Sequence, residues 1–156
     1  MIYLLLVLLL FIFYQDFKER QVYLIILLIT LLISAYIYYT TTYLDTFLLN
    51  IGFNIATVTF ICFVLFMYIK YKMKLHFTEA IGFGDILFFL IFAVSFPTLT
   101  FLILFSLSLI FSGLLFFILK NSLKQKTVPL AGFQSIFLFI VFFINLMCNF
   151  VNLYAI

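Results

Sequence analysis

Long apolar runs dominate the chain, and a few charged and turn residues interrupt them. A helical span needs about 20 apolar residues to cross about 30 Å of hydrocarbon. The interruptions predict six spans. The first runs from Ile2 to about Gln15, the second from Val22 to Tyr39 and the third from Thr46 to Ile69. A charge-free stretch then runs from Ile86 to Leu119. One helix of that length would reach about 51 Å, too long for a bilayer. "SFPT", Ser95 to Thr98, is the natural break, because Pro97 disfavours helix at the residue before it. That break yields the fourth and fifth spans, and the sixth runs from about Leu130 to Tyr154.

Basic residues give this pattern a direction. Lys18 and Arg20 follow the first span, Lys70, Lys72 and Lys74 the third, and Lys120, Lys124 and Lys126 the fifth. The intervening loops, "TTTYLD" and "SFPT", carry none. Cytoplasmic loops are enriched in Lys and Arg, so loops one, three and five are expected in the cytoplasm and both termini outside. The opening "MIYLLLVLLL" has no basic residue before Lys18 and no A-x-A pattern after it. A cleaved signal peptide needs both, so this segment is expected to be a retained first span.

Composition agrees. Of the 156 residues, 69% are hydrophobic and 8% charged, against about 25% charged in ordinary soluble domains. The mean hydropathy is +1.41. The expected fold class is an all-α integral membrane protein, a bundle of six transmembrane helices forming one membrane-embedded domain over residues 1–156. The net charge of +3 belongs to loops beside the membrane. Membrane lipid is therefore an expected partner, and nucleic acid is not. Cys62 and Cys148 lie in apolar runs without ligand spacing and read as small buried hydrophobes.

Two spans are short. Only fourteen residues precede Asp16 in the first, and eleven separate Asp85 from Pro97 in the fourth. Each crosses the hydrocarbon only if its helix continues through the aspartate. Asp16 and Asp85 are thus expected at one depth, at the cytoplasmic boundary, on different helices.

The span interiors hold no Lys, Arg, Asp, Glu or His, so candidate chemistry sits at the boundaries. Gly82 and Gly84 precede Asp85 in "EAIGFGD". Glycine permits close backbone approach, so an extended peptide has room here to present a carbonyl to Asp85. The plainer alternative is a helix break with Asp85 as N-cap. Two neighbouring carboxylates do not both ionise easily, so one retains a proton. That state suits peptide hydrolysis: the ionised member takes a proton from water, and the protonated one polarises the scissile carbonyl and feeds the leaving amine. Asp16 has its own plain reading, an interfacial anchor paired with Arg20 four residues on. Glu19, His76 and Asp45 read as interfacial residues, and Glu79 reads either as an interfacial charge or as a group that orders the loop. Asn145, Asn149 and Asn152 share one helical face and are expected to hydrogen-bond between helices. Asn54, Thr57 and Thr59 are the polar groups in the third span.

"GFGD" before an apolar span resembles the GxGD aspartic proteases of membranes. The fuller pattern resembles the type IV prepilin peptidases. That family has an aspartate at the cytoplasmic end of its first core helix, then a basic and an aliphatic residue. "DFKERQV" is similar, with Asp16, Arg20 and Val22. Its second motif, glutamate-x-x-Gly-x-Gly-Asp, is matched by Glu79, Gly82, Gly84 and Asp85. A proline-led segment opens its last helix, as "VPLAGF" does here with Pro129 and Gly132. The chain departs at Tyr23 and Leu24, where the family has Pro-Asn, and at Leu87, where it has lysine.

The resemblance implies an aspartic endopeptidase that removes short basic leaders from prepilin-like proteins. Asp16 and Asp85 would be catalytic, and Gly82, Gly84, Glu79 and Arg20 would meet the substrate. No metal or organic cofactor is implied. The setting would be a bacterial inner membrane, with the site facing the cytoplasm. The four-cysteine region of the longer members has no counterpart here, which implies peptidase activity without N-methylation. Two other readings stand beside this one: a presenilin-like intramembrane protease, and a non-enzymatic assembly factor or transporter.

Overall fold

The computed structural model describes residues 1–73, 82–119, 129–148 and 153–154. Among these residues all regular structure is helical. The six α-helices are α1 (Ile2–Glu19), α2 (Leu24–Tyr39), α3 (Leu44–Tyr68), α4 (Phe83–Ser95), α5 (Thr98–Leu119) and α6 (Leu130–Cys148). A π-helical turn, Ile69–Met73, extends α3. Three segments are long and apolar enough to cross a membrane: Leu44–Lys72, Thr98–Leu119 and Leu130–Met147. The outer surface agrees, with Phe60, Phe117 and Ile118 exposed on α3 and α5. Water does not tolerate an apolar surface of this extent on a monomer, whereas lipid does. These are the features of a membrane protein.

Both short runs behave as their lengths require. The α1 helix continues through Asp16 to Glu19 and stops where Arg20 turns left-handed, at φ 57 and ψ 23. The Arg20 N–H closes that last turn on the Asp16 carbonyl at 3.1 Å. The α4 helix begins at Phe83, so Asp85 lies in its first turn. It ends before Pro97, with Phe96 extended at φ −144 and ψ 156, as the residue before a proline prefers. The second helix starts two residues later than the hydrophobic run.

The α4 helix packs against α2, α3, α5 and α6, while α1 lies along α2 and α6. Phe88, Phe89, Ile91, Phe92 and Ala93 of α4 are buried. Phe89 and Phe92 both meet Phe105 edge-on, with centroids 5.1 and 5.6 Å away.

Because Pro97 stops α4 early, its last carbonyls end inside the bundle. A buried carbonyl needs a donor, and Asn54 of α3 supplies two. Its Nδ2 donates to the Ala93 carbonyl at 2.8 Å and to the Phe96 carbonyl at 2.9 Å. Nearby, Thr98 donates to Asn50 Oδ1 at 2.9 Å, and Asn50 Nδ2 donates to the Tyr38 hydroxyl at 2.8 Å. These bonds join α2, α3, α4 and α5 at the end of the bundle opposite the aspartates.

Candidate active site

The sixth helix organises the site. Its first intrahelical bond runs from the Phe133 N–H to the Pro129 carbonyl at 3.0 Å. The N–H groups before Phe133 have no partner within the helix. A Ser or Asp ahead of the helix ordinarily caps such donors. Pro129 stands there instead and offers no side-chain acceptor. Carboxylates from two other helices take that place.

The Gly132 N–H donates to Asp16 Oδ2 at 2.6 Å. The Ala131 N–H donates to Asp85 Oδ1 at 2.9 Å. Consecutive amides therefore hold Asp16 of α1 and Asp85 of α4, and the two charges lie close enough to act on each other. The positive end of the α6 dipole favours negative charge here. Asp16 is buried, with 7% of its surface exposed, and Asp85 is half-buried.

Two glycines shape the approach. A Cβ on Gly132 would lie 2.9 Å from Asp16 Oδ2 and 3.0 Å from Asp16 Cβ, closer than real Cβ atoms come. Gly82 precedes α4, and its N–H donates to Asp85 Oδ2 at 3.2 Å. Asp85 is thus not the N-cap. It stands in the first turn and reaches back to the capping position, as the acidic member of a capping box does, while its other oxygen takes the Ala131 amide. A Cβ on Gly82 would lie 3.3 Å from Asp85 Oδ2. Gly84 faces Leu27 of α2, with 3.8 Å between a built Cβ and Leu27 Cδ1, and leaves room for a methyl group.

Arg20 lies one helical turn beyond Asp16, and its charge acts on that carboxylate. Glu19, Lys18 and Asp45 are exposed. Glu79 and His76 lie outside the described residues, as do Lys74, Lys120, Lys124, Lys126, Asn149 and Asn152. Among the described residues the buried Asn145 Oδ1 has no hydrogen-bond partner, so the expected bond from that face is not made at this atom there. Thr57 and Thr59 bond back to Phe53 and Ile55 of their own helix. Asn54 is committed to the end of α4. Among the described residues no three His, Cys, Asp or Glu side chains gather as metal ligands.

Sequence reasoning missed Gln15, Ala131 and Gln134. Gln15 is buried beside Asp16, and its Oε1 accepts the Tyr23 N–H at 3.4 Å across the turn between α1 and α2. Ala131 acts through its backbone, which no side-chain pattern reports. Gln134, a lone amide in an apolar run, was the one legible signal.

The chain matches no family model, no curated protein and no solved structure.

Proposed function

We propose that this chain is a membrane aspartic endopeptidase with Asp16 and Asp85 as its catalytic pair. The observation that carries the reading is the convergence of these aspartates, 69 residues apart in sequence, on the adjacent Ala131 and Gly132 amides. A simple anchor at a membrane boundary needs no second carboxylate beside it. Nearby like charges disfavour joint ionisation, so the pair shares a proton. The ionised carboxylate activates water, and the protonated one polarises the peptide carbonyl and then protonates the leaving amine.

In this reading the chain has six spans, both termini outside and the pair on the lysine-bearing, cytoplasmic side of a bacterial plasma membrane; the basic residues confined to alternate loops support it. The motif resemblance to prepilin peptidases supports a substrate with a basic leader followed by an apolar segment. That substrate would be cut where its apolar segment leaves the membrane, and the exposed Gly82 edge of the site would admit its backbone. Gly84, Glu79 and Arg20 are assigned to the same binding region.

The test is co-expression with a prepilin-type substrate in membranes, following the leader by gel shift. The native chain should release the leader. Asp16→Asn and Asp85→Asn should each slow release by about 10²–10⁴-fold at unchanged protein level. Release that survives either change excludes the two-aspartate mechanism. A cut inside the substrate's apolar segment would favour the presenilin-like alternative.

A further inference from the structure

Two residues beyond Gly132, Gln134 places a fully buried amide in an apolar helix. Its Nε2 donates to Ser108 Oγ of α5 at 3.2 Å. The Ser108 hydroxyl itself donates to the Phe105 carbonyl at 2.7 Å, which leaves its oxygen to accept from Gln134. Among the described residues this is the one side-chain hydrogen bond joining α5 to α6. Among the described residues the buried Gln134 Oε1 has no hydrogen-bond partner. A leucine would fill similar volume and leave nothing unpaired, and a half-satisfied buried amide is worse for stability than an apolar side chain. Stability therefore does not explain the residue.

Position does. The bonds from Gly132 and Ala131 to the aspartates are 2.6 and 2.9 Å long, and such bonds weaken within a few tenths of an ångström. A slide of α6 along its axis would break both. Apolar contacts between α5 and α6, such as Phe111 against Phe137 with centroids 5.5 Å apart, are non-directional and tolerate that slide. A hydrogen bond does not.

We propose that Gln134 is a positioning residue: through Ser108 it fixes the axial register of α6 and so holds the Ala131 and Gly132 amides against Asp85 and Asp16. Its geometric consequence stands independently of the chemistry. Its effect on rate rests on the peptidase reading.

The experiment uses the full chain in lipid nanodiscs and reads amide hydrogen exchange at Ala131 and Gly132 by NMR, with α2 amides as reference. In Gln134→Leu and in Ser108→Ala, exchange at both amides should rise about tenfold while α2 is unchanged. Ser108→Thr, which keeps the hydroxyl, should restore the native rate. Native exchange in either first variant, or equal loosening of α2, overturns the proposal. In the cleavage assay, Gln134→Leu should lower kcat about tenfold with KM unchanged. If the native chain cuts no leader, the peptidase reading fails, and the exchange data still decide the role of Gln134.

Discussion

Asp16 and Asp85 are held by adjacent backbone amides of one helix: Asp16 accepts the Gly132 N–H and Asp85 accepts the Ala131 N–H. The start of one helix thereby caps itself with the carboxylates of two others. Any movement of α6 against α1 or α4 changes the spacing of the pair. The site is as rigid as the three-helix junction that forms it.

Gly132 is the position where this junction has no spare room. Gly132→Ala brings a methyl carbon against Asp16 at 2.9–3.0 Å. It should cost about 1–3 kcal/mol of stability through overpacking and reduce leader cleavage at least as strongly as it reduces folding. Thermal unfolding in detergent, run beside the gel-shift assay, checks both. Native cleavage by this variant would mean that the amide–aspartate contact is dispensable.

Gly84 predicts the opposite split. Its φ is not positive and it has space for a methyl group, so Gly84→Ala should hold or raise stability by about 0.5–1 kcal/mol. If the substrate backbone lies against this glycine, KM for the leader substrate rises in the same variant. An unchanged KM would remove Gly84 from the substrate path.

Asn54 tests the fold separately from the site. Asn54→Leu leaves the carbonyls of Ala93 and Phe96 without their donor, at a cost of about 1–3 kcal/mol. The unfolding midpoint should fall while the Asp16 and Asp85 pair still works in the fraction that remains folded. A loss of specific activity larger than the loss of folded protein would tie this distant cap to the chemistry.

Cleavage should follow a bell-shaped pH profile with two apparent constants that belong to the carboxyl pair. On the acid side both carboxyls are protonated, and no base remains to activate water. On the alkaline side both are ionised, and no acid remains for the leaving amine. The optimum lies where one proton is shared. A rate that is flat from acid to strongly alkaline pH counts against the pair.

The helices and their breaks were legible in the residues alone. Six apolar runs became six helices among the described residues, because each run forms its helix, and turn residues and proline break it, by local physics that needs no partner. The continuation of α1 through Asp16 and of α4 to a start before Asp85 followed from length alone. So did the placement of both aspartates at the same end of the bundle. What holds them there came from the packing of the helices. Ala131 and Gly132 act through backbone amides freed by the helix start at Pro129, and a backbone donor leaves no mark in residue type. Asn54 read as a polar group available in a span, and only the packing of α3 on α4 gave it two carbonyls to satisfy. The same holds for Gln134 and Ser108, which are neighbours across helices and strangers in sequence. Spans are set by transfer of each residue into lipid, one at a time, whereas a site is set by which helices touch.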